Sequence, residues 1–219
     1  MRAIVFDKDG TLLDFQATYG PATRDVLRAL DGDFERMAKA IGYDAAGETF
    51  APSSPVIAGS NADVLDALRG AGASVSLEEL DALFAETSVP HAALLPGVTE
   101  ALAALDRPLA IATNDAEACA RLQLERVGLL DRFRAVVGYD SGHGAKPEPG
   151  MILACAAHLE CGPADVAFVG DSLTDCRAGR AAGVFTVAVT TGEASAEELE
   201  PHADAVIAAL AELAPLLDQ

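Results

Sequence analysis

The chain has 219 residues, with 34 acidic against 15 basic side chains and a formal net charge of −19 at pH 7. So acidic a surface repels nucleic-acid phosphates and anionic lipid head groups, so neither nucleic acid nor membrane is expected as a partner. Apolar residues make up 51% but no run of them approaches the length of a membrane span, and with only 5% aromatics the composition favours helices packed on a sheet over an all-β sandwich.

Residues 3–6, Ala-Ile-Val-Phe, form a short apolar run that stops at charge and glycine. This predicts a buried parallel strand whose carboxyl end delivers Asp7-Lys8-Asp9-Gly10-Thr11 into a loop. The apolar start meets Asp7 too soon for a signal peptide. Residues 15–91 then show helical periodicity at 18–30, 34–41, 61–68 and 77–86, with no strand. The stretch 42–59, rich in Gly, Pro and Ser, reads as a loop. Leu95-Pro96-Gly97 marks a return to shorter alternation.

From there, strands are expected at 109–112 before Thr113-Asn114-Asp115, at 135–137 before Gly138, and at 166–169 before Gly170-Asp171-Ser172. A fifth follows at 184–189 and a weaker sixth near 205–206. Helices at 116–127, 151–159 and 174–182 separate them. Such alternation predicts a parallel α/β sheet with right-handed crossovers, whose ligands bind beyond the carboxyl ends of the strands. Asp7, Asp9, Thr113, Asn114, Asp171 and Asp175 all fall at those ends.

Two carboxylates at the end of one buried strand are costly unless a cation or a shared proton relieves them, and magnesium is a hard cation suited to carboxylate oxygens. Thr113 and Asn114 suit either the start of the following helix or a phosphate contact, and both together, since helix starts present N–H donors to anions. Lys146 is one of three lysines, with Lys8 and Lys39, and reads as a surface lysine or as the cation of the site. Asp171 and Asp175 lie one helical turn apart and face the same way. Asp175 alone also reads as an acidic helix start. Lys8 has neighbours that face the site, so its own side chain is expected to point away.

The histidines (His91, His143, His158, His202) and the cysteines (Cys119, Cys155, Cys161, Cys176) show no metal-ligand spacing and no C-x-x-C pair. Free thiols in a reducing, cytoplasmic compartment are expected.

In order along the chain, Asp7-Lys8-Asp9-Gly10-Thr11, Thr113-Asn114, Lys146-Pro147 and Gly170-Asp171-Ser172-Leu173-Thr174-Asp175 resemble the four motifs of the haloacid dehalogenase-like hydrolases. The insertion after the first motif resembles the helical cap of the subgroup that includes phosphoglycolate phosphatase. The resemblance implies a three-layer Rossmann-like α/β core (1–14 and 92–219) with an inserted α-helical cap domain (15–91).

It also implies a Mg2+-dependent phosphomonoester hydrolase acting on a small phosphorylated metabolite. Asp7 would be nucleophile and metal ligand. Asp9 would be general acid and base, its backbone carbonyl also on the metal. Thr113 and the backbone N–H of Asn114 would bind phosphate, as would the backbone N–H of Lys8. Lys146 would neutralise Asp7 and the phosphoryl group. Asp171 would bind magnesium directly, and Asp175 directly or through water. Phosphoglycolate is the substrate the resemblance points to, with sugar phosphates and nucleoside monophosphates left open.

A phosphomutase of the same superfamily and a silent phosphate-ligand-binding module are the alternatives; a dehalogenase would lack Asp9. Specificity is expected in the cap, from Ser53 and Ser54 in the 42–59 loop, or from Arg24 or Lys39. Monomer and homodimer are both compatible, and the Ala- and Leu-rich cap offers a dimer surface.

Overall fold

The apolar run at the start of the chain becomes strand β1 (Ala3–Phe6), buried along its whole length. The computed structural model describes residues 1–218. After β1 come α1 (Phe15–Ala29), α2 (Phe34–Ala40), the two-residue strands β2 (Tyr43–Asp44) and β3 (Thr49–Phe50), α3 (Pro55–Ala58), α4 (Asn61–Gly70) and α5 (Leu77–Ser88). Helix α6 (Val98–Ala103) leads into β4 (Leu109–Ala112), α7 (Glu117–Arg126), β5 (Phe133–Val137), α8 (Gly150–His158), β6 (Val166–Gly170) and α9 (Leu173–Ala182). The chain ends with β7 (Phe185–Val189), α10 (Ala196–Leu199), β8 (Ala205–Ile207) and α11 (Leu213–Leu217).

Six strands form one sheet in the order β5-β4-β1-β6-β7-β8, every neighbouring pair parallel. The period-2 alternation of a strand sends Ile4 and Phe6 of β1 into one apolar cluster and Ala3 and Val5 into another on the opposite face. Helices α6, α7 and α11 cover the first face, and α8 and α9 the second. The result is a three-layer Rossmann-like α/β fold. From β1 the chain builds outward through β4 to β5, then crosses back to β6 on the other side. The reversal opens a crevice at the carboxyl end of β1.

Residues between β1 and α6 pack around their own apolar cluster, which includes Tyr19, Leu27, Met37, Leu68, Leu80 and Phe84. The helices start where capping chemistry allows. Asp14 accepts from the backbone N–H of Ala17 at 3.0 Å to start α1, and Ser76 and Glu79 form a reciprocal capping box on α5. The expectation of an unstructured, strand-free stretch at 42–59 is corrected, since β2 pairs antiparallel with β3, and α3 follows. Burial makes this pair: the Tyr43 and Phe50 rings lie 5.2 Å apart, and the Tyr43 hydroxyl donates to the Gly20 carbonyl at 2.8 Å.

Phe168 lies fully buried in β6, against the face covered by α8 and α9. Phe168→Ala is expected to cost about 3–5 kcal/mol in urea unfolding, the usual range for a truncated core aromatic. A loss below about 1 kcal/mol would mean that this face of the sheet is not the packed core described here.

Candidate active site

Asp7 leaves the end of β1 and Asp171 the end of β6, the two strands being hydrogen-bonded neighbours, and Asp175 lies in the first turn of α9. One carboxylate oxygen from each of these three buried residues lies within 4.8 Å of the others. Lys146 Nζ sits among them, 2.6 Å from Asp7 Oδ1 and 2.7 Å from Asp175 Oδ1. The other oxygen of Asp175 is committed to its helix, accepting from the Ser172 backbone N–H at 3.1 Å and the Ser172 hydroxyl at 2.5 Å. Asp175 is therefore both the helix start and a member of the carboxylate cluster. The loop carrying Lys146 is gripped by Asn114, whose Oδ1 accepts from the Lys146 N–H at 2.8 Å and whose Nδ2 donates to its carbonyl at 3.1 Å.

Asp171 is confined on three sides. The Thr11 hydroxyl donates to its Oδ1 at 3.0 Å. Gly10, at φ +79°, and Gly192 pass so close that a Cβ on either would collide with the carboxylate. Burial, then the neighbouring Asp175 and Asp7, pushes Asp171 well above the usual carboxylate range. Burial likewise raises Asp7 to about 7, against the pull of Lys146. Lys146 is held charged, because Asp175 and Asp7 outweigh the burial that would lower it. Three carboxyl groups face one ammonium, so ionising all of them calls for a further positive charge. This buried, all-oxygen donor set suits a hard divalent cation bound by Asp7, Asp171 and Asp175.

Thr113 does not cap the next helix: α7 starts at Glu117 with Ala116 in the capping position, and the Thr113 hydroxyl oxygen accepts from the Asp115 backbone N–H at 3.1 Å. Its O–H remains as a donor facing the cavity, which it lines with Asp7, Asp9, Asn114 and Lys146.

Lys8 does not line the cavity, in keeping with strand alternation, but it is not remote from the site's residues. Its side chain is fully buried and turns back to its neighbour Asp9, with Nζ 2.8 Å from Oδ1 and 2.6 Å from Oδ2. Nζ is also 3.2 Å from Asp115 Oδ2 and donates to Gln123 Oε1. The Tyr19 hydroxyl, from α1, donates to Asp115 at 2.9 Å, and Gln123 Nε2 donates to the Ser88 hydroxyl at 2.8 Å. Burial alone would lower Lys8, but Asp9 and Asp115 outweigh it and leave its affinity for a proton raised. The alternation of a strand gave the side chain's direction, and what lies in that direction is a polar pocket of the protein rather than solvent.

The insert closes the cavity with residues other than those expected. Arg24 pairs with Asp25 and Glu48, Lys39 is exposed, and Ser53 is exposed. Ser54 is buried with its hydroxyl donating to the Ile41 carbonyl at 2.6 Å. Instead Phe15, Tyr19, Val56, Ile57, Ser60 and Phe84 line it. Phe15 and Tyr19, four residues apart at the entry to the insert, were the readable signal, since that spacing stacks both rings on one helix face. The four cysteines are free. No helix among the described residues is long and apolar enough to cross a membrane.

Two outcomes follow from this geometry. A proton on Asp7 competes with a cation below about pH 7 and not above it. Calorimetric titration with Mg2+ should therefore show affinity rising by at least about tenfold per unit as pH climbs towards 7, with proton release. Constant affinity across that range would remove Asp7 from the ligand set. Lys8→Met leaves Asp9 and Asp115 buried without their cation and should cost about 3–5 kcal/mol in urea unfolding, part of it recovered when Asp115→Asn is added. An unchanged midpoint for the single variant would show that the Lys8 pairs do not hold the loops together.

Residues 1–183 match the family model described as haloacid dehalogenase-like hydrolase. The chain is 32% identical over 223 residues to a phosphoglycolate phosphatase of Chromobacterium violaceum, covering 99% of this chain and 96% of that protein. It is 30% identical over 232 residues to an N-acetylmuramic acid 6-phosphate phosphatase of Pseudomonas aeruginosa, covering 100% and 96%. Among solved structures, CbbY of Rhodobacter sphaeroides in complex with phosphate superposes with a TM-score of 0.75 over 97% of this chain and 96% of that one; at 22% identity this speaks to the fold alone. With the family's model and full-length relatives in agreement, the chain belongs to the haloacid dehalogenase-like hydrolases and is a phosphatase of that family.

Proposed function

We propose that the protein is a magnesium-dependent phosphomonoester hydrolase that acts on a small phosphorylated metabolite through a phosphoryl group carried on Asp7. The carrying observation is Lys146 seated between Asp7 and Asp175 beside the third carboxylate, Asp171. An ammonium so placed neutralises Asp7 and, in the transition state, the charge spread over the equatorial phosphoryl oxygens. Asp7, Asp171 and Asp175, with the Asp9 carbonyl, would hold magnesium, which would supply further charge neutralisation to the phosphoryl group.

Asp7 attacks phosphorus as the bond to the leaving oxygen breaks, and Asp9 gives that oxygen its proton. Asp9 then takes a proton from water as that water attacks the aspartyl-phosphate, releasing inorganic phosphate and restoring Asp7. The Thr113 hydroxyl and the N–H groups of Lys8 and Asn114 hold phosphoryl oxygens. The Lys8 side chain is a positioning group for the Asp9 carboxylate. Residues 15–91 serve as a cap domain over a core of 1–14 and 92–219, excluding water as the site closes. Free thiols and the acidic surface fit a cytoplasmic monomer or homodimer.

A panel of small phosphate esters assayed for phosphate release with and without Mg2+ tests this reading. Release should require the metal and fall at least about a thousandfold in Asp7→Asn, a nucleophile without a substitute. Metal-loaded, folded protein that is silent on every ester would favour a mutase or a binding module. Turnover retained by Asp7→Asn would remove the covalent route.

A further inference from the structure

The cavity is chemically two-sided. Its core side carries the carboxylates, Thr113 and Lys146, whereas the insert side is walled by Phe15, Val56, Ile57, Val64 and Phe84. Phe84 and Val64 are buried, and the Phe15 ring stacks on Tyr19 at 5.2 Å. The polar side chains on that wall are Tyr19, Ser60 and Asn61, all neutral. The Tyr19 hydroxyl is committed to Asp115, and the Ser60 hydroxyl donates to Asp63 at 2.8 Å. Asn61 Nδ2 donates to Asp81 at 2.7 Å, which leaves one N–H and the amide oxygen as a hydrogen-bonding edge.

Cations are committed elsewhere. Lys146 lies between Asp7 and Asp175, Lys8 is held by Asp9 and Asp115, Lys39 is exposed, and no arginine lines the cavity among the described residues. Asp9 and Asp115 line the cavity and occupy the Lys8 ammonium, so neither frees a cation for the leaving group.

We propose that the substrate's leaving group is uncharged: a short group with an apolar face against Phe15, Val56, Ile57 and Phe84, and a hydroxyl or carbonyl read by Asn61. The inference rests on the phosphatase reading above and narrows it. A carboxylate or second phosphate on the leaving group would be desolvated beside Asp9 and Asp115 without a cation, and an unpaired buried charge is strongly disfavoured. Phosphoglycolate and N-acetylmuramic acid 6-phosphate, named for the relatives, both carry a carboxylate beyond the phosphate. The same cavity must also seat the phosphoryl group, which limits the room left for the leaving group.

A matched pair tests it: phosphoglycolate against 2-hydroxyethyl phosphate, alike in size and differing in carboxylate versus alcohol, with p-nitrophenyl phosphate as shared reporter and Mg2+ present. The alcohol ester should show kcat/KM at least about tenfold higher. Asn61→Arg, and independently Val56→Arg should the first not fold, should shift the ratio towards phosphoglycolate by at least about tenfold by supplying the missing cation. Equal rates or a preference for phosphoglycolate in the parent protein, with reporter turnover that Asp7→Asn abolishes, would overturn the inference and leave the phosphatase reading standing. Failure to hydrolyse any of the three esters would overturn both.

Discussion

Three buried carboxylates meet one ammonium group at the carboxyl edge of the sheet, and the surrounding loops are built to hold that meeting in place. Lys146 reaches Asp7 and Asp175 because Asn114 fixes its backbone through both N–H and carbonyl. Asp175 presents one oxygen to Lys146 because Ser172 occupies the other. Asp171 keeps its position because Thr11 binds it and two glycines leave no room for side chains beside it. None of these supports touches another by chance of sequence: they come from the loops after β1, β4, β5, β6 and β7, elements that only the parallel crossovers bring to one edge.

A second buried ammonium lies one residue from Asp7. Lys8 joins Asp9 to Asp115, and through Tyr19, Gln123 and Ser88 the same polar network reaches both ends of the helical insert. The insert also meets the core where the Tyr139 hydroxyl donates to Asp81 at 2.9 Å and Gln16 Nε2 donates to Glu193 at 3.0 Å. Charge compensation inside the core and docking of the insert are thus one set of bonds, so the arrangement around Asp9 depends on where the insert lies.

The sheet was legible because its central strands are short apolar runs cut off by polar residues or glycine, and Asp7, Thr113 and Asp171 stand at or just past those cuts. The weak run at 205–206 also proved to be a strand, paired on the outer edge with β7. Three features were not legible. The β2–β3 pair is made by the packing of Tyr43 and Phe50 rather than by local propensity, and a stretch rich in Gly, Pro and Ser hides it. Asn114 reads as a backbone donor in the sequence, while its side chain binds a loop 32 positions away, a separation no local pattern encodes. Lys8 carries the same limit, since alternation gives the face a side chain takes but not what waits there. The apolar wall of the cavity was missed because charged and hydroxylated residues drew attention as specificity elements, whereas Arg24 and Lys39 are spent on the surface.

The burial of Lys8 and Lys146 also changes how the molecule meets reagents. With two of three lysines enclosed, Lys39 on α2 is the one lysine side chain open to amine-directed chemistry. A fluorophore or cross-linker aimed at lysine side chains therefore finds one of them, in the helical insert and away from every residue of the phosphate site, with the α-amine of Met1 as the other exposed amine. The native sequence supplies, without substitution, a place from which movement of the insert against the core can be watched by distance.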